Sequence, residues 1–167
     1  VGEAYGPHPD PHSRMLRSSQ TVSAGLDCVR DADTYVLYCE SDLRLASGLV
    51  DRFVESGKCP VAGWVILKVE NPPIFYDTWA YRGLDGVHFT NHPPYHPSYS
   101  ATQPFEVSGI GPCMLMAADD VRAGVRCAAG GVWELSQKLR ARGRQIWVLP
   151  DVIVEQPRAL FIPQAGT

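Results

Sequence analysis

Short runs of strand formers alternate with stretches of helical periodicity along the chain, and this alternation narrows the fold more than any other feature. Tyr35 to Cys39, Val61 to Val69, Phe105 to Ser108, Cys113 to Ala117 and Gln145 to Leu149 read as strands, with Val152 to Glu155 as a last extended piece after Pro150. Between them, 13–29, 47–56, 118–124 and 131–142 carry apolar residues at helical spacing. Ser13 can cap the first helix, Gly57 stops the second and Gly143 ends the last. Such alternation predicts an α/β domain with a mixed, mainly parallel sheet flanked by helices. At 167 residues and 45% hydrophobic content, one domain with an ample core is expected.

Three segments fall outside this pattern. Residues 1–12, rich in Gly and Pro, read as an N-terminal arm. Residues 83–104 form a long loop with Pro93, Pro94, Pro97 and Pro104, of the kind that serves as a lid over a site. Residues 157–167 read as a peripheral tail. No apolar run reaches the roughly 18 residues of a membrane span. Five scattered cysteines lack metal-type spacing, so reduced thiols and a cytoplasmic location are expected.

The first strand ends in Glu40-Ser41-Asp42. Ligands of open α/β sheets bind at the carboxyl ends of strands. Two carboxylates there can hold a hard divalent cation, Mn²⁺ or Mg²⁺, and through it a diphosphate. The same acids serve equally well to end a strand and open a helix. Glu155 or Gln156, ending the last strand, can complete a cation site or be ordinary strand-end polarity.

Glu134 falls in the first turn of the 131–142 helix, where the dipole favours a carboxylate. It can take a proton from a hydroxyl, or simply start the helix well. Phe75-Tyr76-Asp77-Thr78-Trp79-Ala80-Tyr81-Arg82 combines flat rings with one acid and one base. Sugars and nucleobases stack on such rings, and core clusters are built from them too. Arg14 and Arg17 are candidate phosphate ligands or solvated surface residues. His88, His92 and His96 recur every four residues, but the prolines among them forbid the helix a shared metal would need.

The order of these features resembles the catalytic half of GT-A fold glycosyltransferases over about residues 13 to 157. It comprises a helix with an upstream Arg, acid-x-acid after a strand, Tyr-Asp-Thr-Trp-Ala-Tyr-Arg, Ser-Gly-Ile-Gly, Trp-Glu-Leu and Gln-Ile-Trp-Val-Leu-Pro-Asp-Val-Ile-Val. The Tyr-Asp-Thr-Trp block is most similar to fungal capsule-associated mannosyltransferases. The resemblance implies an inverting, metal-dependent transferase that moves a sugar from a nucleotide-sugar donor to a hydroxyl acceptor. It gives Glu40, Asp42 and Gln156 the cation, Glu134 the role of base, and Arg14, Arg17, Tyr76, Asp77, Trp79 and Arg82 donor and acceptor contacts. Glu40 stands where Asp is usual, and Gln156 where many members have His.

In that family the donor's base is bound by an N-terminal βαβ segment before the helix at 13–29. The resemblance therefore implies a GT-A core whose base-binding segment is short, missing or supplied by a second chain. The acceptor is a glycan or a hydroxymethylated DNA base, for which arginines 122, 126, 140, 142 and 144 offer a phosphate patch. The alternative is a non-catalytic sugar- or nucleotide-binding module of the same fold.

Overall fold

The computed structural model describes residues 11–67, 74, 75 and 77–157. Helix α1 (Pro11–Leu26) leads to β1 (Tyr35–Cys39), α2 (Leu49–Glu55), β2 (Val61–Leu67) and the two-residue β3 (Ile74–Phe75). A long connection holding the 3₁₀ turn Pro97–Ser100 follows. The rest is β4 (Phe105–Val107), β5 (Cys113–Ala117), α3 (Ala118–Arg122), α4 (Trp133–Ala141) and β6 (Ile146–Gln156). The helix expected from residue 13 begins at Pro11, inside the stretch read as an arm. Residues 1–10, 68–73, 76 and 158–167 lie outside the described residues, and with them Asn71-Pro72-Pro73, Tyr76 and most of the tail.

Five strands form one sheet in the order β1-β5-β2-β6-β4, and β3 adds to β2. The sheet is mixed but not mainly parallel, which corrects the expectation: among the described residues only β2 and β6 pair in parallel, and the other pairings are antiparallel. The reason is β5. It comes out of the Gly109-Ile110-Gly111-Pro112 turn and inserts, reversed, between β1 and β2, which helical connections would otherwise have made parallel neighbours. Because both flank β5 antiparallel, β1 and β2 still point the same way, as does β6. The carboxyl ends of β1, β2 and β6 thus share one edge with the start of β5.

The strands expected at 145–149 and 152–155 are a single strand. β6 runs through Pro150, which has no N–H to give a ladder. The register to β2 jumps there, from Gly63 opposite Leu149 to Trp64 opposite Ile153. A Cβ on Gly63 would lie 2.4 Å from the carbonyl oxygen of Val152. Glycine lets the bulge fold against β2, and pairing resumes to Gln156.

Apolar as its sequence is, β1 is an edge strand, with Tyr35 exposed and the rest half-buried. On α2 only Leu49 and Phe53 are buried, and Val50 and Val54 face out. The core centres on Trp64, whose ring lies 5.2–6.0 Å from those of Phe75, Tyr81, Phe89, Tyr99 and Phe105. Phe89 and Tyr99 come from the long connection, which is thereby tied to the core, and His96 stacks on Phe89 at 4.2 Å. Each ring of this size removed from water contributes roughly 1.5–3 kcal/mol.

Candidate functional site

The shared carboxyl edge gathers several of the sequence candidates. Glu40 directly follows β1, and its backbone N–H donates to Pro112 O at 2.8 Å, fixing it beside the turn into β5. Asp42 lies two residues on, in an exposed turn. Arg44 and Glu155 then exchange backbone hydrogen bonds of 2.8 and 3.1 Å, which draws this turn across the sheet edge to the end of β6. There the Nε2 of the fully buried Gln156 donates to Asp42 Oδ2 at 2.8 Å. Gln156 Oε1 is buried without a hydrogen-bond partner. Glu40 and Asp42 both push the Cys39 thiol up electrostatically, after the larger effect of its burial.

A cleft of about 450 Å³ opens at this edge, walled by Glu40, Asp77, Thr78, Trp79, Gly111 and Gly131, with Met15 and Ser18 of α1 on its rim. Helix α1 is docked there by two serines one turn apart. Ser19 Oγ accepts from Gly131 N at 2.9 Å, and Ser23 Oγ donates to Cys127 O at 2.8 Å.

The aromatic block divides between core and cleft. Phe75 and Tyr81 are buried in the core, and the Tyr81 hydroxyl donates to Gly63 O. Trp79 is 46% exposed at the cleft. Asp77 turns inward: its Oδ1 accepts from Trp79 N at 3.2 Å and Ala80 N at 2.9 Å, while Oδ2 is buried with no partner. Burial raises its pKa above the ordinary carboxyl range, against the lowering effect of those two N–H groups. A Cβ on Gly111 would come within 2.0 Å of Asp77 Oδ2, so only glycine leaves room for this carboxylate.

Glu134 is engaged differently. Its Oε2 accepts from the backbone N–H groups of Ala128 (2.6 Å), Ala129 (3.2 Å) and Gly130 (3.2 Å), and its Oε1 pairs with Lys138 at 2.9 Å. Desolvation works to raise its pKa, but these donors outweigh it and bring it down to about 2. This carboxylate closes the 128–131 loop onto the start of α4 and is a weak proton acceptor at neutral pH.

Arg82 does not wall the cleft. Its guanidinium lies over the Trp133 ring at 4.1 Å and lines a neighbouring pocket. Arg17 is exposed on α1. The side chain of Arg14, and Tyr76, lie outside the described residues. The three histidines do not meet: His88 Nδ1 contacts Thr78 O, His92 Nδ1 contacts Pro93 O, and His96 Nε2 contacts Asp85. Among the described residues no three His, Cys, Asp or Glu side chains gather as a metal cluster.

The arginines expected to form a phosphate patch are each engaged by a carboxylate. Arg122 pairs with Asp119, Arg126 with Asp27 and Arg140 with Glu106, while Arg142 and Arg144 both hold the buried carboxylate of Asp120. Apart from Asp119, three residues from Arg122, the carboxylates that neutralise them lie 22 to 99 residues away in sequence, out of reach of local patterning.

The residues missed from the sequence are mostly small. Ser18, Gly111, Pro112, Gly131 and Val132 form cleft wall by backbone position, and none has a side chain that announces chemistry. The Gly109-Ile110-Gly111 spacing carried the available signal, since two glycines so close mark a place where other groups approach the backbone.

No protein-family model matches the chain, and no curated protein matches it. A crystal structure of GalNAc-T7 with UDP, GalNAc and Mn²⁺ does match in three dimensions, with a TM-score of 0.56 and 14% sequence identity. The match covers 89% of this chain and 31% of that one, so this chain spans under a third of that protein's length. At this identity the likeness is one of fold: the mixed sheet, its flanking helices and the carboxyl edge that carries the cleft make a GT-A-like arrangement.

Proposed function

We propose that the chain transfers a sugar from a nucleotide-sugar donor to a hydroxyl acceptor. The observation that carries this reading is the meeting of Asp42 with Gln156, two residues from Glu40 and its cleft, at the carboxyl edge of a GT-A-like sheet. The fold neighbour holds UDP, GalNAc and Mn²⁺.

The donor set fits a hard divalent cation. Two carboxylates and an amide supply only oxygen ligands, and the buried Gln156 Oε1 lacks the partner a cation would be. Glu40, Asp42 and Gln156 would hold Mn²⁺ or Mg²⁺, which when bound supplies Lewis-acid stabilisation of the leaving diphosphate. Trp79 offers an exposed ring for the sugar to stack on.

Asp77 is assigned the base in place of Glu134, because its raised pKa and free Oδ2 suit proton transfer and the pKa of Glu134 does not. The acceptor oxygen bonds to the anomeric carbon as its proton passes to Asp77 and the bond to the diphosphate breaks. Attack from the face opposite the leaving group inverts the anomeric centre. Gly111 leaves room for the Asp77 carboxylate at the cleft wall.

One experiment tests the reading: thermal melts with a panel of nucleoside diphosphates, with and without Mn²⁺. A diphosphate at 100 times its Kd stabilises by about 2.7 kcal/mol, a Tm rise of about 5–10 °C. Asp42→Ala abolishes the rise together with donor hydrolysis. No rise with any nucleotide removes the proposal. A non-catalytic binding module of the same fold is favoured by one observation, the amide of Gln156 at the edge where an ionisable ligand is common in the family. Binding without turnover of any donor selects that reading.

A further inference from the structure

We propose that the pocket beside the cleft is an oxyanion subsite that recognises a carboxylate or phosphate group on the acceptor. It is a concavity of about 330 Å³ lined by Arg82, Gly86, Ser108, Trp133, Gln137 and Arg140. Trp133, Gln137 and Arg140 are spaced i, i+4, i+7 and so present one face of α4 to it.

Charge accounting within the pocket points to the ligand. Arg140 Nη1 is 3.2 Å from Glu106 Oε1 and also donates to Val107 O at 3.3 Å, and Glu106 accepts from Gln145 Nε2 at 3.1 Å. That pair is neutral and internally bonded. Arg82 is half-buried, and its Nε is shut from water with no hydrogen-bond partner. None of the ion pairs among the described residues includes it. Its only side-chain engagement there is the Trp133 ring, 4.1 Å from the guanidinium carbon, which fixes the plane of the fork without neutralising it. A planar, held, uncompensated guanidinium is suited to two-pronged capture of an oxyanion. Gln137, exposed on the same helix face, adds an amide donor.

The backbone that aims Arg82 is fixed. Arg82 N donates to Gly109 O at 3.1 Å, and Ser108 N donates to Arg82 O at 2.8 Å. A Cβ on Gly109 would lie 1.7 Å from the Trp133 ring, so the glycine admits the indole that Arg82 covers. The two concavities adjoin through consecutive residues: Val132 walls the cleft and Trp133 the pocket, and Ala80 and Arg82 flank Tyr81 in the same way. A ligand long enough to reach both would present a hydroxyl to Asp77 and an oxyanion to Arg82. The acceptor role rests on the transferase reading; anion binding by the pocket does not.

The test is NMR titration of the full chain with glucuronate and, separately, with glycerol phosphate, following the Arg82 Nε–H and Trp133 indole N–H signals. Saturable shifts of both are expected for at least one anion, and the tighter of the two names the group. Arg82→Gln weakens that binding about tenfold, and Arg82→Lys recovers part of it, because charge persists without the fork. If Arg82→Gln does not fold, Arg140→Ala serves, with a loss of about threefold expected because the Glu106 carboxylate is then left unneutralised beside the pocket. Absence of saturable shifts in the wild-type chain, or equal affinity in Arg82→Gln, overturns the proposal. Nucleotide and Mn²⁺ melts are independent of this readout. Anion shifts without nucleotide binding leave the pocket standing and the transferase reading fallen; the converse leaves only the transferase.

Discussion

Two carboxylates within the same corner of the molecule have been given opposite environments. Asp77 has one oxygen held by two backbone N–H groups and the other buried alone, so ionisation is disfavoured. Glu134 collects three N–H donors and an ammonium, so ionisation is strongly favoured. Replacing Asp77 by Asn keeps the oxygen that accepts from Trp79 and Ala80 and removes the buried charge. Transfer of sugar from a nucleotide-sugar donor is expected to fall by roughly 10²–10⁴-fold, with Tm unchanged or raised at pH 7. Loss of both together contradicts the assignment of Asp77 as base. In the wild type the rising limb of kcat/KM against pH is expected above the ordinary carboxyl range. Glu134→Gln has the reverse profile. It costs about 1–2 kcal/mol of stability at pH 7. The folded pKa of about 2 lies below the unfolded value of 4.5, so this stabilisation is complete above about pH 4.5 and is lost as pH falls towards 2. The Tm difference between the two proteins is expected to narrow as pH falls from 7 to 3. The sequence placed Glu134 correctly in a first helical turn, but not the direction of its side chain. That direction depends on the 128–130 N–H groups folding back over it, which no spacing encodes.

At the scale of elements, β1 and β5 were legible to the residue because each is a short apolar run bounded by polar or glycine-rich breaks. The direction of β5 was not, because antiparallel insertion depends on which neighbours it meets. The join across Pro150 was also hidden. A proline inside a strand pattern is normally a terminator, and the compensating feature, Gly63, lies on another strand. The bulge rests on that glycine. Gly63→Ala brings a methyl against the Val152 carbonyl at 2.4 Å, and backbone cannot move aside as a flexible side chain would. Its cost is roughly 1–3 kcal/mol or more, a Tm drop on the order of 3–10 °C. Because Gln156 lies four residues past the bulge, at the end of the same strand, the substitution is also expected to weaken nucleotide-dependent stabilisation. A Gly63→Ala protein with unchanged Tm would show that the strand pair tolerates separation here.

Across the whole molecule, charge separates the two classes of acceptor. The chain carries a formal net charge of -3, and the five late arginines that suggested a phosphate patch are each tied to a carboxylate. Binding duplex DNA requires lysines and arginines free to displace counterions, and affinity then falls with salt at a slope of about 0.9 per phosphate neutralised. Freeing Arg142 and Arg144 for this would strand Asp120, whose side chain is only 1% exposed, at a cost that phosphate contacts must first offset. Arg82, with no ion-pair partner among the described residues, lies over an indole in a concavity, where it can meet one oxyanion but not a row of them. Fluorescence anisotropy with a labelled duplex of hydroxymethylated DNA is therefore expected to show no saturable binding at 50 mM salt. An acidic oligosaccharide is expected to bind, with a salt slope corresponding to about one ionic contact. A steep slope on duplex DNA would mean that the arginine–carboxylate pairs open in solution, and it would move the acceptor from glycan to nucleic acid.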